Sequence, residues 1–190
     1  MTRNILLTLI VCGVWLATSV CNAQTPVKDE RQVKATYLYF FSQYGTWPEN
    51  AVPDAQGQFI VGLLGPDPFG GYFDALKGKT VAGGKIKIEI RRFESSNDYK
   101  PCHLVFISPE AADNGEGTAE QRLAGLLKKR NPHVMIVSDS PGLATAGAMI
   151  NNFIAADGRV HLEINRAEMQ KQGLDMSPKV LQLSIVHLVP

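Results

Sequence analysis

The sequence has few cysteines, with three in 190 residues. Cys12 and Cys21 lie in the first 23 residues, which have the marks of a secretory signal peptide: a positive charge at Arg3, an apolar run, and small residues before a cleavage site after Ala23. Cleavage would leave Cys102 as the single thiol, which excludes an internal disulfide and a cysteine-based metal framework. We predict that Cys102 is a buried structural thiol, with a reactive or intermolecular thiol as the alternative.

Two other interpretations of the N-terminal segment stay open. The segment could be retained as an anchor, or Cys21 could carry a lipid, although Thr18-Ser19-Val20 before it matches lipoprotein sites poorly. Cleavage after residue 23 leaves 24–190, which is the length of one domain. We therefore predict a signal peptide at 1–23 followed by a single secreted domain at 24–190.

The predicted mature chain also lacks net charge. One of its 19 basic residues, Arg3, lies in the predicted signal peptide, which leaves 18 against 18 acidic residues in the mature chain. Nucleic acids and anionic membrane surfaces are bound by proteins with an excess of basic residues on one face. We therefore predict neither of them as a partner.

Apolar runs alternate with a helical pattern along the middle of the chain. Near-continuous runs at 59–64, 104–107 and 134–137 are typical of strands buried on both faces. Strict alternation at 85–90 predicts a half-buried strand, and the leucine spacing within 118–129 predicts a helix. Buried strands that alternate with helices predict an α/β fold.

The C-terminal third carries turn and cap signals. Asp157-Gly158 separates two apolar runs, which is a strong β-hairpin signal. Asn165 is typical of a helix N-cap, and Ser177-Pro178 predicts the start of a last helix. The predicted fold class is therefore α/β, a single-domain mixed sheet flanked by helices, with a C-terminal β-hairpin followed by two helices.

Aromatic side chains mark the first predicted helix, which Pro48 ends. They recur, with one valine, at steps of three and four residues: Val33, Tyr37, Phe40, Phe41, Tyr44 and Trp47. Such a stripe predicts the core-facing side of the helix. The alternative is a surface that faces a partner or a ligand, because aromatic residues dominate binding hot spots. On that alternative, Trp47 and Tyr44 are candidate ligand-binding residues.

The stretch SDSPGLATAGAMIN at 138–151 follows a predicted buried strand and allows three interpretations. Its glycines suggest a phosphate loop, but their spacing fits no nucleotide fingerprint. Ser138 and Ser140 suggest a nucleophile, but the Gly-x-Ser-x-Gly elbow is missing and nothing nominates a base. The third interpretation is a tight turn in which Asp139 and Ser140 bond local backbone. Ser138 and Asp139 are kept as candidate ligand-binding residues.

Polar side chains near the hairpin offer a further candidate site. His161 and Glu163 share one face of a predicted strand and could hold zinc, but no third ligand can be named. We predict no metal and no cofactor. Arg91-Arg92, Glu163 and Asn165 are either ordinary surface residues or the charged rim of an apolar protein-binding patch.

Several stretches match the motifs of one known family in order. They are Val33-Lys34-Ala35 with Trp47-Pro48, LGPDPFG at 64–70, CHLVFIS at 102–108, SDSPG and GAMIN within 138–151, and Val160–Asn165 followed by Gly173-Leu174. On these stretches, which cover nearly the whole mature chain, the sequence resembles the YfiR/HmsC family of secreted bacterial proteins. Gly62 departs from the family pattern, because relatives often carry a cysteine there that is able to bridge to the strand of Cys102.

The resemblance implies a periplasmic protein that is not an enzyme. Such proteins bind the periplasmic domain of an inner-membrane diguanylate cyclase and repress it, which lowers cyclic di-GMP and biofilm output. An outer-membrane, peptidoglycan-binding lipoprotein as a second partner and a homodimer are implied in the same way. The residues themselves leave two alternatives, a periplasmic small-molecule or uptake-accessory binding protein and an enzyme.

Glu163 stands where the resemblance implies partner contact. It occupies the glutamate of the family's Phe-Glu-x-Asn motif, close to the region that relatives use for their partner. We predict a partner-binding set around this position, made of Glu163, Asn165, Met169, Phe153, Asn151 and Arg91.

Overall fold

The computed structural model describes residues 29–51, 57–112 and 116–190. The predicted signal peptide at 1–23 and its cleavage site lie outside these residues, so both stay predictions. Within the described ranges, no helix is long and apolar enough to cross a membrane.

Strands and short helices alternate along the chain. The strands are β1 Gly45–Thr46, β2 Gln58–Leu64, β3 Thr80–Val81, β4 Ile86–Phe93, β5 Leu104–Ile107, β6 Met135–Ser138, β7 Ile150–Ile154, β8 Val160–Ile164, β9 Asp175–Met176 and β10 Val186–Leu188. The helices are α1 Glu30–Tyr44, α2 Ala119–Lys129, α3 Arg166–Lys171 and α4 Pro178–Leu181, with 3₁₀ turns at Glu49–Ala51 and Asp74–Leu76.

One eight-stranded mixed sheet organises the molecule, in the order β10-β8-β7-β6-β5-β2-β4-β3. The central strands β4, β2, β5, β6 and β7 run parallel, whereas β7 pairs antiparallel with β8 and β3 with β4. The apolar runs form β2, β5 and β6, whose side chains are buried on both faces because helices pack above and below. The predicted α/β fold and mixed sheet are confirmed.

The sheet separates two apolar layers. On one face, α1 places Leu38 and Phe41 in a layer that also contains Val61 of β2. On the other face, α2 places Leu123 and Leu126 against the opposite side chains of the same strands. Helix α2 starts as the sequence predicts, because Thr118 and Gln121 form a reciprocal capping box at its N-terminus.

The core-facing side of α1 matches the predicted aromatic stripe only in part. The buried face carries Ala35, Leu38 and Phe41, whereas Phe40 is 41% exposed and Tyr44 is 43% exposed. Two stripes with helical spacing overlap in this segment, and the stripe with small Ala35 and aliphatic Leu38 is the one that packs on the sheet. Of the aromatic stripe, Phe40 and Tyr44 are therefore left at the surface, whereas Tyr37 and Trp47 are partly buried against the core.

The predicted C-terminal arrangement is wrong. The β7–β8 hairpin and α3 form as expected, but α4 is only four residues long and the chain ends in a strand, β10, parallel to β8. The free edge of β8 supplies the reason, because its unpaired backbone groups gain partners: Leu162 N donates to Ile185 O at 2.8 Å. The apolar residues near position 185 therefore form or flank the strand β10 and do not continue the helix α4.

Candidate functional site

An aromatic cluster lies on the outer face of the hairpin, opposite the face that packs against α1. The register pairs Phe153 with His161, and β10 brings His187 beside them. The Phe153 ring lies 5.7 Å from the His161 ring and 5.5 Å from the His187 ring, and the centres of the two imidazoles are 5.2 Å apart. His161 Nδ1 and His187 Nε2 share a hydrogen bond of 2.8 Å, and His161 Nε2 lies 3.2 Å from Asp157 Oδ2.

Glu163 lies beside this cluster and is held by a chain of hydrogen bonds. Asn151 Nδ2 donates to Glu163 Oε2 at 3.0 Å. Asn151 Oδ1 in turn accepts from Ser138 Oγ at 2.8 Å and from the Ser140 backbone N at 2.9 Å. This chain orients the Glu163 carboxylate, which stays partly exposed. In it, Ser138 and Ser140 act as structural supports of the 138–151 turn, because both are buried and bonded to Asn151.

Asp139, between those two serines, forms a largely buried ion pair. Lys34 Nζ lies 2.6 Å from Asp139 Oδ2 and also contacts Glu30. Burial raises the pKa of Asp139, and the hydrogen bond from Lys34 opposes that rise without cancelling it. Burial lowers the pKa of Lys34, but the hydrogen bonds to Asp139 and Glu30 together outweigh it, so the pKa is raised. Glu30 and Glu110 add smaller upward contributions to the pKa of Asp139 through their negative charge.

A polar cavity of about 480 Å³ borders this ion pair. It lies beyond the carboxyl ends of β2, β5 and β6, where ligands bind in open α/β sheets. Most of its lining residues are charged, and they include Asp29, Arg31, Asp67 and Glu110 together with the ion pair. Among the described residues, no cluster of three or more His, Cys, Asp or Glu side chains is arranged to hold a metal ion.

The structure brings together only part of the predicted partner-binding set. Glu163, Asn151 and Phe153 lie on the same hairpin face. Asn165 is the buried N-cap of α3, where its Oδ1 accepts from Glu168 N at 2.9 Å. Met169 is fully buried beneath that helix.

Arg91 lies far from the other predicted partner-binding residues. It belongs to β4, and four strands separate β4 from β8 in the sheet. At about 4.8 Å for each step between neighbouring strands, that is a separation of roughly 24 Å. Arg91 Nη1 donates to Pro101 O at 2.7 Å. The structure therefore places Arg91 apart from the face that carries Glu163.

The predicted ligand-binding residues divide between the two ends of α1. Asp139 contacts Lys34 in the first turns, whereas Tyr44 ends the helix, about 15 Å farther along at 1.5 Å per residue. Trp47 is half-buried, packs edge-on against Phe59 at 5.0 Å, and donates from Nε1 to His103 O at 3.2 Å.

Sequence reasoning missed His187, the third ring of the aromatic cluster. Its segment was predicted to follow a helix, and a contact with His161 depends on the parallel pairing of β10 with β8. The apolar, β-branched stretch at 185–189 was the available signal, since such composition is typical of a strand.

Comparison with known proteins identifies one family. A family model with the description YfiR/HmsC-like matches residues 31–185. No curated protein matches the chain. Among solved structures, the chain is similar to a conserved domain protein from Vibrio cholerae O1 biovar eltor, at 11% sequence identity and a TM-score of 0.47. That match covers 82% of this chain and 60% of the other, so this chain spans less than two thirds of its length.

Proposed function

The chain belongs to the YfiR/HmsC-like family, and from that membership we propose that it is a periplasmic regulatory protein, a repressor of an inner-membrane diguanylate cyclase. It binds the cyclase's periplasmic domain and thereby lowers cyclic di-GMP. The observation that carries this proposal is the family match over residues 31–185. The proposal includes a homodimer, an outer-membrane lipoprotein that sequesters the repressor, and the absence of catalysis by this chain.

We propose that the partner binds at the hairpin face, defined as Phe153, His161, Glu163 and His187. These side chains combine three rings with a carboxylate that is partly exposed. Aromatic centres with polar rims are typical of protein–protein interfaces. Asn151 holds Glu163 in one orientation, so binding needs little further ordering of that side chain.

The test exchanges the charge of Glu163 and measures partner binding. Glu163→Arg is expected to reduce co-purification of the periplasmic domain of the cyclase at least tenfold, because a cation replaces the oriented carboxylate. Glu89→Arg is the matched control. Glu89 also lies on a strand, β4, which is near the opposite edge of the sheet from β8.

Circular dichroism and the melting temperature establish that both variants fold. Retention of the partner by folded Glu163→Arg at the wild-type level would remove Glu163 from the interface. Equal loss in Glu89→Arg would show that the effect is not specific to the hairpin face.

A further inference from the structure

A groove of about 550 Å³ runs between α1 and the tip of the β7–β8 hairpin. We call it the α1 groove. Its main apolar lining comes from Val33, Tyr37 and Phe40 of α1, Ile154 and Val160 of the hairpin, and Ile185. The groove lies on the opposite side of the hairpin from the hairpin face, so the proposed partner site does not account for it.

The walls of the α1 groove expose large apolar side chains. Ile154 on one side is 47% exposed, and Phe40 on the other side is exposed to a similar extent. Neighbouring exposed apolar groups of this size mark binding sites more often than isolated ones do. The volume of the groove lies within the range of about 300–1,000 Å³ that small-molecule sites occupy.

A buried amide without hydrogen bonds lies on the same face of the hairpin, one residue pair beyond the groove lining. Asn152 is 1% exposed, and neither Oδ1 nor Nδ2 has a hydrogen-bond partner within the described part of the chain. Ile154 and Val160, which line the groove, are paired across the hairpin, and the next pair on the same face is Asn152 with Leu162. Leaving a buried amide unpaired is costly. The Asn152 side chain therefore has a donor, Nδ2, and an acceptor, Oδ1, that are available to a ligand.

The mouth of the groove carries an exposed positive charge. Arg159 lines it and is exposed, and across the described ranges its guanidinium makes no hydrogen bond or ion pair. Glu30 also lines the groove, and its carboxylate contacts Lys34, the same ammonium that pairs with Asp139. A guanidinium in this position is suited to bind a carboxylate.

From these features we propose that the α1 groove binds a small amphipathic carboxylate. Its apolar body lies between Phe40 and Ile154, its carboxylate contacts Arg159, and a polar group at its inner end pairs with the amide of Asn152. The site is independent of partner binding, so each proposal can fail without the other.

Fluorescence titration with 11-(dansylamino)undecanoate, which joins an apolar body to a carboxylate, tests the site. We expect saturable binding of one probe per chain. Phe40→Ala and Arg159→Gln should each raise the Kd at least fivefold. Leu188→Ala is the matched control, because Leu188 is an exposed apolar residue outside the groove lining, and it should bind as wild type does.

Two competitors identify the apolar body. Displacement of the probe by dodecanoate indicates an alkyl chain, and displacement by 2-naphthoate indicates an aromatic ring. Either outcome supports the proposal if dodecanol or 2-naphthol, which lack the carboxylate, competes at least fivefold less well. Absence of saturable binding, equal effects of Phe40→Ala and Leu188→Ala, or no effect of Arg159→Gln would each overturn it.

Asn152→Leu separates a binding role from a structural one. Replacing an unpaired buried amide with an apolar side chain should keep or raise the melting temperature of the free protein, while the shift caused by the probe becomes smaller. A variant that folds and retains the full shift would remove Asn152 from the site. Sedimentation velocity tests whether the groove is instead occupied by a second copy of the chain. If Phe40→Ala dissociates a dimer, the groove is a dimer interface and the proposal is contradicted.

Discussion

Gly62 and Cys102 lie at the distance that a disulfide needs. A Cβ at Gly62 would lie 2.9 Å from Cys102 Sγ and 3.0 Å from Phe93 Cε2. In a disulfide, each Cβ lies about 3 Å from the partner's sulfur, as follows from an S–S bond of about 2.05 Å. The variant Gly62→Cys should therefore form a bond to Cys102 under oxidising conditions, with only a small movement of the Phe93 ring.

The size of the stabilisation follows from the loop that the bond closes. Positions 62 and 102 are about 40 residues apart, for which the chain-entropy relation gives about 4 kcal/mol. Adjustment of Phe93 subtracts from that value, so an increase of about 2–3 kcal/mol in the free energy of unfolding is expected. Gly62→Ala should do the opposite and destabilise by about 1–2 kcal/mol, because its Cβ contacts the sulfur without a bond.

Urea unfolding with and without reductant measures both effects, and mass spectrometry counts free thiols. The reduced Gly62→Cys protein should lose its gain, and adding Cys102→Ala to that variant should abolish the dependence on reductant. Two free thiols after oxidation, or a Gly62→Ala protein as stable as wild type, would refute the close approach of these positions.

Three further predictions concern buried polar groups. Lys34→Met should destabilise by about 3 kcal/mol at pH 7, because it leaves the Asp139 carboxylate buried without its cation. The raised pKa of Asp139 means that the folded state binds the proton of this carboxyl more tightly than the unfolded state does. The stability of the variant should therefore fall as the pH rises from 4. Urea unfolding that shows an equal loss of unfolding free energy at pH 4 and pH 7 would contradict this. Burial raises the pKa of Cys102 to about 12, so iodoacetamide at pH 8 should label it only after unfolding, and rapid labelling of the native protein would show an accessible thiolate. Asn165→Ala should lower the free energy of unfolding by about 1–2 kcal/mol, because the cap on Glu168 N is lost; an unchanged urea midpoint would show that the cap contributes nothing.

Local signals in the sequence predict the elements whose stability depends on local residues. The apolar runs at 59–64 and 104–107 become β2 and β5 because every one of their side chains needs burial, and Asp157-Gly158 turns the hairpin as its backbone preference requires. Asn165 caps α3 through a hydrogen bond that spans three residues. Each of these features can be recognised without knowing which segments meet in space.

Features that depend on distant pairing could not be predicted in the same way. Strand β10 exists because the edge of β8 is open to it, and α1 turns Phe40 outward because Leu38 and Phe41 fit the sheet better. The hydrogen-bond chain from Ser138 through Asn151 to Glu163 needs the register of β6, β7 and β8, which the residues alone do not specify. The family resemblance pointed to Glu163, but the residues that orient it emerged only from the fold.

Cellular cyclic di-GMP tests the proposed function most directly. It is measured in a strain that lacks this gene, and in the same strain complemented with secreted wild type or with Glu163→Arg at equal protein levels. Repression of a cyclase predicts a rise on deletion that wild type reverses and Glu163→Arg does not. An unchanged level on deletion would contradict repression of a diguanylate cyclase, and full reversal by Glu163→Arg would contradict the hairpin face as its binding surface.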